Sequence, residues 1–198
     1  KKPFLRPSVL ADNTFLRPGR QYRSRDVQNT YSALGRLNIL KYSNIRFREE
    51  VREDSAYLDA FITLSRNKNK SLAFEIEGTN SAGDLGAAAS VAYTHRNLFR
   101  GSETFTAKVR GAYEAITGLE GYANNNYMEY AVETGLSFPE FMFPFLSSDF
   151  KRRIRATSEV TAKFNWQVRP EFERTVASAG WSYRWTRRQK ANHRFDVL

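Results

Sequence analysis

The stretch Phe105-Thr-Ala-Lys-Val-Arg-Gly-Ala-Tyr-Glu-Ala115 decides the fold. Phe105, Ala107, Val109, Gly111, Tyr113 and Ala115 carry no charge, whereas the residues between them include Lys108, Arg110 and Glu114. A period of two places these sets on opposite faces of a β-strand. Five more segments repeat the pattern. Leu72, Phe74 and Ile76 alternate with Glu75 and Glu77; Leu85, Ala87, Ala89, Val91 and Tyr93 alternate with Gly86, Ala88, Ser90 and Ala92. Tyr130, Val132, Thr134, Leu136 and Phe138 alternate with Glu129, Glu133 and Gly135. Val160, Ala162, Phe164, Trp166 and Val168 alternate with Lys163, Asn165 and Arg169, and Ala177, Ala179, Trp181, Tyr183 and Trp185 with Ser178, Gly180 and Arg184. Turn-forming stretches at 78–84, 96–102, 117–126 and 170–174 separate them. The expectation is an antiparallel meander of about six strands, joined as consecutive hairpins.

Upstream of residue 66 the pattern changes. Val27, Tyr31, Leu34 and Leu37 recur at helical spacing, Ser24 suits an N-cap and Asp26 the first turn, so a helix is expected over 25–39. A short helix is expected within 6–16, a turn at Arg17-Pro18-Gly19, and strands at 42–48 and 58–64. The chain therefore divides into residues 1–65, of α+β type, and residues 66–198, all β.

Composition bounds the class. The 198 residues include no cysteine, which excludes a disulfide framework, a Cys-based zinc site and a cysteine nucleophile. A 41% hydrophobic and 14% aromatic content argues against disorder. No run approaches the roughly 18 apolar residues of a membrane helix. Lys1-Lys2-Pro3 is not followed by the apolar stretch of a signal peptide, so the chain reads as either cytosolic or trimmed. The net charge of +10 raises a nucleic-acid partner. None of the basic residues falls on the apolar strand faces, however; they lie in 1–65, on the opposite faces and in the connections at 151–155 and 187–190. Water, anionic headgroups and a polar lumen account for them better than nucleic acid does.

Faces of this kind have two explanations. A soluble β-sandwich or small barrel also has one apolar face. Strands of about 9–11 residues with aromatics near their ends, here Tyr93, Tyr113, Trp166, Trp181, Tyr183 and Trp185, are the signature of a transmembrane β-barrel. Lipid satisfies no backbone group, so only a helix or a closed sheet crosses it. Six strands are fewer than the eight with which such barrels begin, so the chain would be part of one.

Catalytic signatures are sparse. His95 and His193 are isolated. Glu75 with Glu77 and Glu129 with Glu133 share strand faces, as a glycosidase pair could, but a polar lumen explains them more simply. The glycines at 78, 83 and 86 open no helix, so they do not form a phosphate loop. The basic run 151–155 suits RNA, lipid headgroups or plain solvent. The reading is a protein that is no enzyme and needs no cofactor and no metal.

The wording of several segments carries a resemblance. Residues 17–22 (RPGRQY), 29–37 (NTYSALGRL) and 42–47 (YSNIRF) resemble a POTRA domain, without the strand that normally precedes its first helix. Residues 74–86 (FEIEGTNSAGDLG), 96–101 (RNLFRG) and Glu103 resemble the first barrel strands of the BamA/TamA outer-membrane assembly superfamily. Arg169-Pro170 and Gly180-Trp-Ser-Tyr183 make the chain most similar to its TamL-type members in Bacteroidota. The resemblance implies an internal piece of a Gram-negative outer-membrane protein: the last POTRA domain, in the periplasm, and the first of about sixteen strands. It implies insertion or export of client proteins through a lateral gate, by templating of an incoming strand on an open edge. The gate strand would be 71–78, with Leu72, Phe74, Ile76 and Gly78; the POTRA edge near Tyr42, Ile45 and Phe47 would hold a client or a periplasmic or inner-membrane-anchored partner. Outer-membrane lipids are the remaining partner. A passive channel or surface-antigen barrel is the second reading, and a soluble basic nucleic-acid-binding protein the third. Counting hairpins from a periplasmic start puts the loop 139–157 on the periplasmic side, where turns are usually short.

Overall fold

A computed structural model describes residues 3–52, 55–81, 84–116, 126–143, 145, 147, 154, 156–187 and 191–197. The chain forms two compact units, one of Lys1–Asn69 with Arg96–Glu103, the other of Lys70–His95 with Thr104–Leu198.

The first unit has helices α1 (Pro7–Asp12) and α2 (Ser24–Leu34) and strands β1 (Leu40–Arg52) and β2 (Ser55–Arg66). Pro7 opens α1, where its missing N–H and fixed φ suit a helix start. Helix α2 ends five residues before the expected Ile39. Gly35 caps it, and the amides of Arg36, Leu37 and Leu40 then each bond three residues back. Glycine weakens the helix, and the tight turns that follow deliver Leu37 and Ile39 to the interior. These two residues, with Leu5, Val9 and Leu34, form the fully buried core, and Ile62 and Leu64 of β2 pack on it. Burying each such side chain stabilises by about 1.5–3 kcal/mol. Strands β1 and β2 pair antiparallel from Leu40↔Arg66 to Arg52↔Ser55, with one irregularity between Leu40 and Tyr42. Where a POTRA-like domain was expected, the unit has two short helices and a two-stranded sheet, and no strand precedes α1 among the described residues.

The second unit is one antiparallel sheet in strict sequence order: β3 (Lys70–Ser81), β4 (Asp84–Arg96), β5 (Thr104–Ala115), β6 (Asn126–Phe138), β7 (Thr157–Val168), β8 (Glu173–Arg187) and β9 (Ala191–Val197). Six of these strands match the expected segments, and β9 makes a seventh. Asn192, Arg194 and Asp196 make it polar in composition, yet Phe195 pairs with Tyr183 and Val197 with Trp181, which continues the apolar face of β8. The sheet is open, with β3 and β9 at its edges. The basic run 151–155, apart from Ile154, and the turn residues 117–125 and 188–190 lie outside the described residues.

Candidate membrane-facing surface

The apolar face of the sheet is largely uncovered. Ile76 is 85% exposed, Phe74 71% and Leu85 68%, and Leu72, Val109, Tyr130, Val132 and Phe164 on the same face are exposed as well. On the other face Ala88 and Ser90 are buried. A soluble sheet hides its apolar side chains and shows its charges, whereas an apolar surface of this continuity marks an interaction surface.

The polar face explains why β4 is so rich in small residues. Lys108 on β5 reaches Glu75 on β3 at 3.4 Å, and Arg110 reaches Glu77 at 3.1 Å, in both cases across the intervening strand. Second-neighbour strands lie roughly 9–10 Å apart, so two long side chains can meet only if the strand between them carries nothing tall. Gly86, Ala88, Ser90 and Ala92 supply that trough, and the Ser90 hydroxyl donates to Glu75 at 3.2 Å. An added Cβ at Gly86 would stand 2.8 Å from the backbone oxygen of Tyr113. The pairing continues along the face. Arg110 also approaches Glu129 at 3.7 Å, and Glu129 accepts from Asn165 at 2.6 Å and from the Tyr127 hydroxyl at 2.8 Å. Lys163 pairs with Glu133 and Arg184 with Glu159. Exposed pairs are worth about 0.2–1 kcal/mol each. Their larger effect is to hold these charges against partners inside the sheet.

Of the residues singled out in the sequence, Leu72, Phe74, Ile76 and Gly78 fall on the apolar face of β3, which has one strand partner, β4. Tyr93 and Trp185 lie toward one end of the sheet, and Tyr113 and Trp166 toward the other. Trp166 stacks on its cross-strand neighbour Tyr130 at 5.5 Å and donates its ring N–H to Glu173 at 2.7 Å. Trp181 is 40% exposed, but Tyr183 is buried, covered by Phe141 and Phe143. In the first unit Tyr42 is exposed and Phe47 meets Tyr22 edge-on at 5.4 Å. The amide of Ile45 donates to the Tyr31 hydroxyl at 2.9 Å, so helix α2 already occupies the middle of that strand edge.

The bonding within 96–103 was not legible in the sequence, where 96–102 reads as a turn and 96–101 with Glu103 carries part of the family resemblance. Segment Arg96–Glu103 belongs to the first unit. The buried Glu103 carboxylate accepts from the Arg6 guanidinium at 2.9 Å and from the amides of Phe99 and Gly101 at 3.0 and 2.9 Å. Asn97 accepts from the Ser102 amide and donates to the Phe4 carbonyl, and the Ser102 hydroxyl accepts from the Ile39 amide. Asn97, Arg100 and Ser102 all have left-handed backbones, with φ of 83°, 63° and 66°. Non-glycine residues hold this conformation only where surrounding bonds impose it. The sequence signal was an acidic residue two places after a glycine in a basic turn, a pattern that suits a carboxylate folding back onto turn amides.

Among the described residues no group of three or more His, Cys, Asp or Glu is placed to hold a metal ion, and no helix is long and apolar enough to cross a membrane.

No protein-family model matches the sequence, and no curated protein matches it. Among solved structures the chain is similar to BamA from Haemophilus ducreyi lacking POTRA domains 1–3, at 10% identity and a TM-score of 0.41, over 92% of this chain. The chain spans 42% of that structure's length.

Proposed function

We propose that this chain is part of an outer-membrane β-barrel that inserts or exports client proteins, with strand β3 as one side of a lateral gate and the first unit on the periplasmic side. The observation that carries the membrane reading is the uncovered apolar face: exposed apolar side chains on one side of the sheet, mutually paired charges on the other. Such a face is stable against acyl chains, where burial is favourable, and unstable against water. The gate reading draws support from β3 being an edge of 12 residues with no bulge in its pairing to β4. A long regular edge offers backbone groups to an incoming strand. This work needs no catalytic side chain and no cofactor. Its partners are outer-membrane lipids, client strands and a periplasmic or inner-membrane-anchored protein at the β1 edge, where Tyr42 and Phe47 flank the occupied Ile45 amide.

The test uses the full protein with one cysteine at Leu72 or Ile76 and another on the last strand of the complete barrel. This chain contributes no cysteine to interfere. Oxidation is expected to abolish client insertion, and reduction to restore it. Undiminished insertion with the seam locked would refute the gate; a passive channel would conduct equally in both states.

A further inference from the structure

We infer that the aromatic segment after β6 is a membrane-interface anchor: Phe141, Phe143 and Phe145 fold back over the apolar face of the sheet and enter the boundary between lipid headgroups and acyl chains. The inference rests on the membrane reading of that face.

The placement follows from two residues. Ser158 and Tyr183 are cross-strand partners on β7 and β8, on the same face as Val160 and Trp181. Ser158 is fully buried; its hydroxyl donates to the Glu140 carbonyl at 2.9 Å and accepts from the Met142 amide at 2.8 Å. Phe141 meets the Tyr183 ring edge-on at 4.8 Å. The chain leaving β6 therefore turns onto the apolar face instead of continuing away from the sheet. The Ser158 hydroxyl on this apolar face satisfies backbone groups that lipid would leave bare. Phe143 then stacks on Phe141 at 6.0 Å, and Phe145 meets Phe143 at 5.8 Å. Phe145 is 87% exposed, and Met142 and Phe143 are exposed as well. The rings form a shelf continuous with Trp181, at the end of the sheet where β7 begins and β8 finishes. An ordered shelf with its outermost ring bare fits the interfacial zone, where aromatic side chains concentrate.

Depth measurement tests this. The full protein, reconstituted in phosphatidylethanolamine–phosphatidylglycerol vesicles, carries a nitroxide at Phe145→Cys, at Phe164→Cys on the apolar face or at Lys163→Cys on the polar face. Phe145 is so exposed that its replacement removes little packing. Collision with oxygen, which partitions into lipid, is compared with collision with a water-soluble nickel chelate. The Phe145 label is expected to show an oxygen-to-nickel ratio several-fold above that of the Lys163 label, and a depth shallower than that of Phe164. Ser158→Ala is expected to lower the Phe145 ratio and leave the Phe164 ratio unchanged. A Phe145 label as nickel-accessible as Lys163, with Phe164 still oxygen-preferring, overturns the anchor and leaves the membrane reading standing. Nickel preference at Phe164 overturns both.

Discussion

Glu103 shows how much one side chain can organise. Its carboxylate holds two turn amides and one guanidinium, and Arg6 keeps 46% of its side chain exposed while Glu103 keeps 4%. The two ends of this ion pair should therefore respond differently to truncation. Arg6→Ala leaves a carboxylate still bonded to two amides. Glu103→Ala leaves the buried Gly101 amide unpaired, which costs about 1–3 kcal/mol, and removes the partner of the part-buried Phe99 amide at a smaller cost. Urea unfolding of the first unit should show the Glu103 variant destabilised by about 3 kcal/mol and the Arg6 variant by about 1 kcal/mol. Gly101 is a sharper case. A Cβ there would collide with both the Glu103 carboxylate and the Arg6 guanidinium. Gly101→Ala should lower the midpoint by the equivalent of about 1–3 kcal/mol, an effect that the Glu103→Ala background should reduce in a double-mutant cycle. None of this was readable from spacing. The bonds connect residues up to 97 positions apart, and the left-handed backbones at Arg100 and Ser102 have no glycine to announce them.

Strands are the level at which the sequence was most legible, because alternation is a local consequence of the pleat and needs no tertiary partner to be seen. Six strands and the β1–β2 hairpin were legible on that ground. The overshoot of α2 past Gly35 came from Leu37, whose apolar character fits the helical stripe but serves the core through a turn. Strand β9 was hidden by its charges, and the fold-back of Phe141 by the absence of any period in the 139–157 connection. Strand β4 makes the difference between faces measurable with adjacent residues. Ala88→Leu would fill the trough beneath the Lys108–Glu75 pair and should cost about 1–3 kcal/mol. Ala87→Leu, one residue away on the exposed apolar face, should be neutral or stabilising for protein folded into vesicles. Thermal unfolding in a defined detergent would check the pair; equal effects at both positions would contradict the assignment of faces.

For the whole molecule the decisive variable is the solvent. Val132 stands at the middle of β6, 40% exposed on the apolar face. If that face meets acyl chains, Val132→Arg should destabilise the vesicle-folded protein by about 2–4 kcal/mol. In a sheet facing water the same change at a half-exposed site would fall within about 0.5 kcal/mol. Folding equilibria of the full protein in the presence of vesicles would distinguish the two. This question was only half legible in the sequence. Alternation gives two faces without saying which is wet; the structure adds that Ile76 and Phe74 are uncovered while Ala88 and Ser90 on the other face are buried.

The ion pairs over β4 have a mechanical consequence. They stitch β3 to β5 as well as to its neighbour, so peeling β3 away must break Glu75–Lys108 and Glu77–Arg110 along with the backbone ladder. Those links are electrostatic and open to water on one side, and screening lengths fall from about 10 Å at 0.1 M salt to about 3 Å at 1 M. The stiffness of this edge should therefore track ionic strength. Amide hydrogen exchange along residues 72–78 should quicken in high salt while β6 and β7 stay protected. A gate hinged on β3 would carry, in its second-neighbour pairs, a latch that loosens as the surrounding electrolyte thickens.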